Sequence, residues 1–268
     1  MTLANIDFGR LYREHYAAAR RRRKPAEAWD ERAARLSRKT QRSSYVDDFI
    51  ARMDLRDADS LLDVGCGPGT ICLPLAGKLK RVIGLDFSQG MLDELQANAG
   101  MQSLNNVETL RLSWEDDWSA VPACDIVVAS RSTMVDDMAA ALHKLNDKAQ
   151  QRVYLTHLVG GGHLNAIVSE VIGRAIPTQP DYIYVVNLLH QMGLHPRLDF
   201  ISHEALPGRY DGFREFARRA SWALGALSEA EIARLRAWHD QERAALPPMR
   251  WAFIWWEKPQ GHSESFER

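Results

Sequence analysis

The chain has 268 residues, 46% of them hydrophobic and 26% charged, the proportions of a folded soluble protein and not of a disordered one. At this length a chain buries about 70–75% of its unfolded surface, so its stability requires no disulfide or metal staple. Lys and Arg number 34 against 35 Asp and Glu, a formal net charge of −1 that argues against a dedicated nucleic-acid binder.

From the amino terminus, the balance is uneven. Residues 1–45 hold 12 Lys/Arg against 5 Asp/Glu, and the run Arg20, Arg21, Arg22, Arg23 and Lys24 supplies most of the excess. Such a run suits a contact for an anionic substrate or RNA; without interleaved aromatics it reads first as a solvated face or arm. Asp7 and Glu14 interrupt the basic character that a leader peptide would need, and no apolar stretch follows. Residues 1–59 read as helical: Ala26, Trp29, Ala33 and Leu36 recur at spacings of three and four, as do Tyr45, Phe49, Ile50 and Met53.

From Ser60 the rhythm changes to short β-type runs alternating with helical stretches. Residues 61–64 form the first expected strand, 70–80 a helix with Pro74 tolerable only near its first turn, and 81–85 a second strand. Ser88 is an expected N-cap for a helix with the stripe Met91, Leu92, Leu95 and Ala99. Strands are expected at 107–112 and 125–129, then a helix through Met138, Leu142 and Leu145, then a fifth strand at 153–158. This alternation predicts parallel βαβ units with right-handed crossovers. After Gly160-Gly161-Gly162 come two or three helical stretches, a possible strand at 196–203 and a strongly aromatic one at 251–256, an antiparallel pair closing the sheet. The expected fold is an α/β doubly wound, mostly parallel Rossmann-like sheet with an antiparallel final strand, N-terminal helices and a helical insertion between strands five and six. Residues 1–59 are expected to form a helical cap, 60–258 the main domain with 159–245 partly a lid insertion, and 259–268 a disordered tail.

Cys66, Cys72 and Cys124 are an odd count without CxxC spacing, and the histidines form no HxxxH or HExxH set, so neither a disulfide framework nor a metal site is expected. The longest apolar stretches, such as 182–189, fall short of the roughly 18–20 residues of a membrane span. A cytoplasmic location, as a monomer or homodimer, is the expectation.

The segment Asp63-Val64-Gly65-Cys66-Gly67-Pro68-Gly69-Thr70 lies between an expected strand and an expected helix. There, glycines let the backbone turn sharply and approach a ligand, and the helix amino terminus offers free N–H groups. A dinucleotide fingerprint, GxGxxG, would put its third glycine at position 70, where Thr70 stands, and no Gly-Lys-Ser/Thr follows as in a P-loop. Asp63 would sit poorly beside a pyrophosphate, so a nucleoside without a bulky phosphate chain is indicated.

On these residues the sequence resembles the class I S-adenosylmethionine-dependent methyltransferases, from about Ser60 to Ala129 and in strand order to Lys258, in the manner of the quinone- and metabolite-modifying members. The resemblance implies S-adenosylmethionine as cofactor and S-adenosylhomocysteine as product. It implies that Asp63 fixes the loop and the cofactor's amino acid portion, that Gly65 and Gly67 pass under ribose and sulfur, and that Cys66, Gly69 and Thr70 complete the loop. Asp86 stands 17 residues after Gly69 and matches the acidic residue that accepts from both ribose hydroxyls; a carboxylate does offer two acceptors to a vicinal diol. Phe87 and Met91 fall where the family packs apolar groups on adenine. Where the family commonly carries an Asp after the third strand, this chain has Trp114, so either Glu115 takes the adenine amino group or Trp114 stacks on the base.

The acceptor side is less marked. Methyl transfer needs alignment and a dry site, and a general base only when the acceptor is protonated. The fourth strand ends in Ala129-Ser130-Arg131-Ser132-Thr133-Met134, without the Asp/Asn-Pro-Pro-Tyr/Phe motif of enzymes that methylate exocyclic or amide nitrogens. Ser130 is assigned to the cofactor side. Arg131 is a candidate to hold a substrate carboxylate or phosphate, or else a surface residue paired with Asp136 or Asp137, and His157 is the candidate base. Tyr182, Tyr184, His190 and Tyr210 are candidates to line the acceptor pocket, and Trp29 and Tyr45 are candidates to close the cofactor from above; His143, His163, His195, His203 and His239 receive no role. A small-molecule acceptor is the expected partner, nucleic acid being disfavoured by charge; the alternatives are an RNA methyltransferase using the 20–24 stretch, or a protein that binds S-adenosylmethionine without turnover.

Overall fold

A computed structural model describes residues 3–19, 24–40, 43–160, 163–203, 212–241 and 249–258. Seven strands form one sheet: β1 (Ser60–Val64), β2 (Arg81–Asp86), β3 (Val107–Arg111), β4 (Cys124–Ser130), β5 (Ala149–Leu158), β6 (Arg197–His203) and β7 (Met249–Glu257). Their spatial order is β3-β2-β1-β4-β5-β7-β6. The first five strands pair in parallel, and β7 runs antiparallel between β5 and β6, with Tyr154 opposite Trp255 and Phe200 opposite Ala252. The order reverses between β1 and β4, so the crevice beyond their carboxyl ends is where an open α/β sheet takes its ligand.

Strand residues are buried on both faces, as parallel strands between helical layers require. Leu62, Val64, Ile83, Val127 and Leu155 face one core with Tyr12 of α1 (Phe8–Ala19), Leu142 of α7 (Met138–Lys148) and Leu189 of α9 (Tyr182–Gln191). Leu61, Val82, Ile126 and Val128 face the other with Phe49 of α4 (Ser44–Ala51), Leu75 of α5 (Cys72–Ala76) and Leu95 of α6 (Gln89–Met101). A third, smaller cluster joins Val168 and Ile172 of α8 (His163–Ile172), Phe216 and Ala220 of α10 (Phe213–Leu224) and Leu235 of α11 (Glu229–Gln241). Among the described residues no helix is long and apolar enough to cross a membrane.

Three expectations need adjusting. The helix expected over 70–80 shrinks to α5, because residues 67–71 are spent on turns and Gly77 ends it; Pro74 is its third residue, where no N–H is needed. The helical insertion between strands five and six is divided: α8 and α9 precede β6, while α10 and α11 follow it. The first 59 residues are not one cap. Tyr12 is wholly buried under one face of the sheet, and Phe49 meets Phe253 edge-on at 5.0 Å under the other. α2 (Ala26–Asp30) and α3 (Ala33–Thr40) pack against α6. The tail 259–268, Gly161 and Gly162, and Arg20 to Arg23 lie outside the described residues.

Candidate active site at the strand ends

Each residue of the glycine loop has a separate structural reason. Gly65, Gly67 and Gly69 all have positive φ, at 68°, 54° and 88°. At Gly65 a Cβ would lie 2.4 Å from the Ser132 Cβ, and at Gly69 it would fall within 2.6 Å of Leu73 and Leu95. Gly67 differs: its only neighbour would be the Met91 sulfur at 3.9 Å. Gly69 therefore serves close packing of α5 and α6 and does not line the cavity, which corrects its assignment to the cofactor. Gly69→Ala is expected to lower stability by about 2–4 kcal/mol, from left-handed backbone cost plus overpacking. Urea denaturation measures this, and cofactor affinity of the folded fraction should stay unchanged.

Two buried carboxylates frame the loop. Asp63, 1% exposed, accepts the Cys72 N–H at 3.2 Å, so the helix terminus expected to face a ligand spends that donor on Asp63. Burial pushes the Asp63 carboxyl up to about 7, opposed by the Cys72 hydrogen bond, while nearby Asp86 raises it further and Arg131 lowers it. Asp86, at the end of β2, accepts from Gly67 N at 2.9 Å on Oδ2 and from Ser88 N at 3.0 Å on Oδ1. Desolvation also holds its carboxyl above the usual range, despite those backbone donors. The Phe87 backbone N–H is a third donor to this carboxylate, so the loop after β2 holds Asp86 firmly in place.

α2 and α3 close over this loop. Asp30 Oδ1 accepts the Gly90 N–H at 2.9 Å and the Ser88 hydroxyl, while the Ser88 side chain caps α6 by accepting from Met91 N, as its N-cap pattern predicted. Glycine at position 90 permits this approach, since a Cβ there would lie 2.9 Å from the Asp30 Cα. Buried Asn98 of α6 donates to Ser37 of α3 at 2.8 Å and to the Pro68 carbonyl at 3.1 Å. On the far side, Trp29 meets Trp222 of α10 edge-on at 5.4 Å, and the Arg32 guanidinium lies 3.8 Å from the Trp222 ring.

These elements border a partly open cavity of about 490 Å³. Of the residues assigned to the cofactor, Asp63, Gly65, Cys66, Gly67, Thr70, Asp86, Phe87, Met91, Trp114, Glu115 and Ser130 all line it. The Trp114 indole N–H donates to the Ser132 carbonyl at 3.1 Å and its ring stacks on Trp118, which fixes the ring as a wall; Glu115 stands beside it. Lys144 pins this loop by donating to the Trp114 and Asp116 carbonyls. Trp29 lines the cavity as expected, and Arg131 lines it from the end of β4.

Other expectations are not met. His157 does not line the cavity: it is 0% exposed, its Nδ1 is bound to the Thr133 hydroxyl at 2.9 Å and its Nε2 to the Pro180 carbonyl at 3.3 Å. Burial drops its pKa to about 4, so it is a neutral core residue and not a base facing a substrate. Tyr182 packs on Phe200, Tyr184 on Tyr12 and His15, and His190 faces His195, all away from the cavity; Tyr210 lies outside the described residues. Tyr45 does not line it either. It is 1% exposed, with its hydroxyl 2.8 Å from the Ser130 Oγ and 2.7 Å from the Thr156 Oγ1.

Tyr16 and Leu36 from the amino-terminal helices line the cavity with Lys24, which precedes α2, and so do Met134, Val135 and Asp136. Apart from Lys24, whose basic run was read as a contact for an anionic substrate, sequence reasoning gave these residues no place there. Tyr12 and Tyr16 belong to α1, whose hydroxyls donate to the Val135 and Met134 carbonyls, a long-range docking that no local pattern reveals.

A family model described as "Methyltransferase domain" matches residues 61–151, the segment that supplies the loop, Asp86 and the β4 end. Residues 61–151 thus form a methyltransferase domain. Class I methyltransferases use S-adenosylmethionine. This methyltransferase is 36% identical over 263 residues to an uncharacterized protein of Haemophilus influenzae, covering 96% of this chain and 98% of that one. A shorter match, 35% identical over 74 residues, links it to the 23S rRNA (uracil(1939)-C(5))-methyltransferase RlmD of Aliivibrio fischeri, covering 28% of this chain and 17% of that enzyme. Among solved structures, coclaurine N-methyltransferase, bound to N-methylheliamine and S-adenosylhomocysteine, superposes with a TM-score of 0.55 at 14% identity, covering 96% of each chain. That likeness bears on the fold.

The residues present suit the cofactor. Gly67 keeps its Cβ position open, and two buried carboxylates with raised pKa values present negative charge to a cationic ligand with a vicinal diol.

Proposed function

We propose that this methyltransferase transfers the methyl group of S-adenosylmethionine to a small-molecule acceptor. The observation that carries the reading is the lining of one partly open cavity, where Trp29, Leu36, Lys24 and Tyr16 of the amino-terminal segment join Asp63 and Asp86. A largely apolar pocket of this kind suits a compact acceptor and limits the access of water to the reacting atoms.

In this reading Asp86 holds the ribose hydroxyls, Asp63 the cofactor's amino group, and Gly65, Cys66, Gly67 and Thr70 the backbone cradle. Phe87, Met91 and Trp114 wall the adenine, with Glu115 at its edge and Ser130 near the methionyl end. Bound S-adenosylmethionine supplies an electrophilic methyl carbon on a good leaving group. The chain's own task would then be alignment, holding the acceptor against the methyl-bearing end of the cofactor and keeping water away. Asp136 is the acidic group on the acceptor side able to take a proton if the nucleophile carries one. α2 and α3, buttressed by Trp222 of α10, act as the lid.

Since the Asp63 carboxyl sits near 7 before binding, S-adenosylhomocysteine affinity is expected to fall below pH 7, by up to about tenfold per pH unit, as protonation removes the partner of the ligand's amino group. Titration calorimetry from pH 5.5 to 8.5 checks this, and a flat profile contradicts the role given to Asp63. Activity itself is tested by incubating the protein and a small-molecule cell extract with methyl-labelled cofactor. Label appearing in a low-mass product supports the reading.

The match to the rRNA enzyme and the basic stretch from Arg20 to Lys24 favour RNA as the second reading. It requires label in RNA, and salt-dependent RNA binding that neutralising those residues flattens.

A further inference from the structure

We infer that Asp30 is a positioning residue of the cofactor site: its carboxylate latches α2 to the start of α6, seats Trp29 at the cavity, and is the contact that breaks when the cofactor leaves. The inference rests on the reading of α2 and α3 as a lid and deepens it.

The two lid helices are held in different ways. α3 buries Ala33 and Ser37, and Ser37 accepts from buried Asn98 of α6. α2 is five residues long and buries none of them. A segment with so little buried surface has its place set by a few polar contacts and opens at low cost. Asp30 supplies such contacts. Its Oδ1 takes the Gly90 N–H at 2.9 Å and the Ser88 hydroxyl, two donors on one oxygen. The Ser88 proton is thereby committed to Asp30, while the Ser88 oxygen accepts the Met91 N–H at 3.1 Å. A carboxylate at the first turn of a 13-residue helix also meets the positive end of its dipole. Position 90 is shaped for this approach, since a Cβ there would lie 2.9 Å from the Asp30 Cα and 3.0 Å from its Cβ. Gly90 has no positive φ, so the nearness of Asp30, and not the backbone, is the reason for glycine.

The latch is tied to the cofactor through its neighbours. Trp29, the residue before Asp30, lines the cavity, and Ser88 and Gly90 follow closely on Asp86 and Phe87, which line it too. Burial is the main reason that the Asp86 carboxyl is raised, and the Asp30 charge adds to it. Ribose hydroxyls donating to Asp86 offset that repulsion, so an occupied site favours the seated α2, and by reciprocity the seated α2 favours an occupied site.

The test measures the release of labelled S-adenosylhomocysteine from the full chain during a chase with unlabelled ligand. Asp30→Ala is expected to release it about ten- to a hundredfold faster with no slower association, and Asp30→Asn, which keeps the acceptor oxygen without its charge, to fall between. Gly90→Ala is an independent variant. Alanine is the better helix former, so α6 should be no less stable, yet the added Cβ displaces Asp30 and should also speed release by at least about tenfold. Adding Gly90→Ala to Asp30→Ala should change little further, because both act on one contact. Release at the native rate from Asp30→Ala or from Gly90→Ala overturns the inference, as does an affinity lost through slower association. So does loss in Asp30→Ala of the preference for adenosine over 2′,3′-dideoxyadenosine, because Asp30 would then act by shaping the Asp86 site and not by holding the lid. If the native protein binds no S-adenosylhomocysteine, the reading of the cofactor site falls, and this inference with it.

Discussion

Replacing Asp63 by Asn is expected to stabilise the unliganded protein at pH 8 and at the same time to weaken cofactor binding. The native carboxyl is held near 7 chiefly by burial, against an ordinary value of 3.8. A carboxyl raised in the folded state contributes stability fully present below its unfolded pKa, and that contribution is lost as pH rises through the folded pKa. Between about pH 4 and pH 7 the native protein therefore loses roughly 1.4 kcal/mol per pH unit from this group, about 4 kcal/mol in all, and nothing further above pH 7. Asn does not titrate, and its amide oxygen can still accept from Cys72. Its extra N–H donors cost about 1–2 kcal/mol if unpaired, so a net gain of about 2–3 kcal/mol is expected at pH 8, vanishing or reversing near pH 4. Cofactor affinity should drop by roughly 10–150-fold with loss of a charged hydrogen bond. Chemical denaturation of both proteins across this pH range, with calorimetry at pH 8, checks both halves. A variant less stable than native at pH 8 would mean that Asp63 is satisfied by its neighbours and is not waiting for a cation.

Asp86→Ala is expected to cost about 2–3 kcal/mol of cofactor binding, or roughly 30–150-fold in affinity, through the lost ribose contacts. The same change strips acceptors from the buried Gly67 and Ser88 N–H groups, so stability should fall as well, by about 1–3 kcal/mol. The two effects separate by choice of ligand. Native protein should prefer adenosine over 2′,3′-dideoxyadenosine, and the variant should bind both alike if the ribose contact is what was lost. An undiminished preference in the variant would place the diol elsewhere.

The sheet was legible because its signals are local. Strands β1 to β5 fall within a few residues of their hydrophobic runs, and Ser88 capped its helix where the pattern put it. The glycine loop was legible because Asp63 to Thr70 falls between a strand and a helix that each carry a local signal. Gly69 shows the boundary of that argument: the same residue type in the same motif answers to Leu73 and Leu95, which are invisible until the helices are placed. His157 failed for a related reason. A histidine at a strand end reads as a cleft residue, but the face it takes depends on Thr133 and Pro180, 24 and 23 residues away along the chain. The roof of the cavity was least legible. Trp29 was reached through its helical stripe, whereas Asp30, which ties α2 to Ser88 and Gly90 across some 60 residues, carries no local signal beyond being an aspartate.

The most direct test is a calorimetric titration of the purified protein with S-adenosylhomocysteine at pH 8, with NADH as the control ligand. One-to-one binding in the micromolar range, with no heat from NADH, is the predicted result. Binding of NADH, or of neither ligand, would show that the cavity framed by Asp63, Gly67 and Asp86 is not the cofactor site of this methyltransferase.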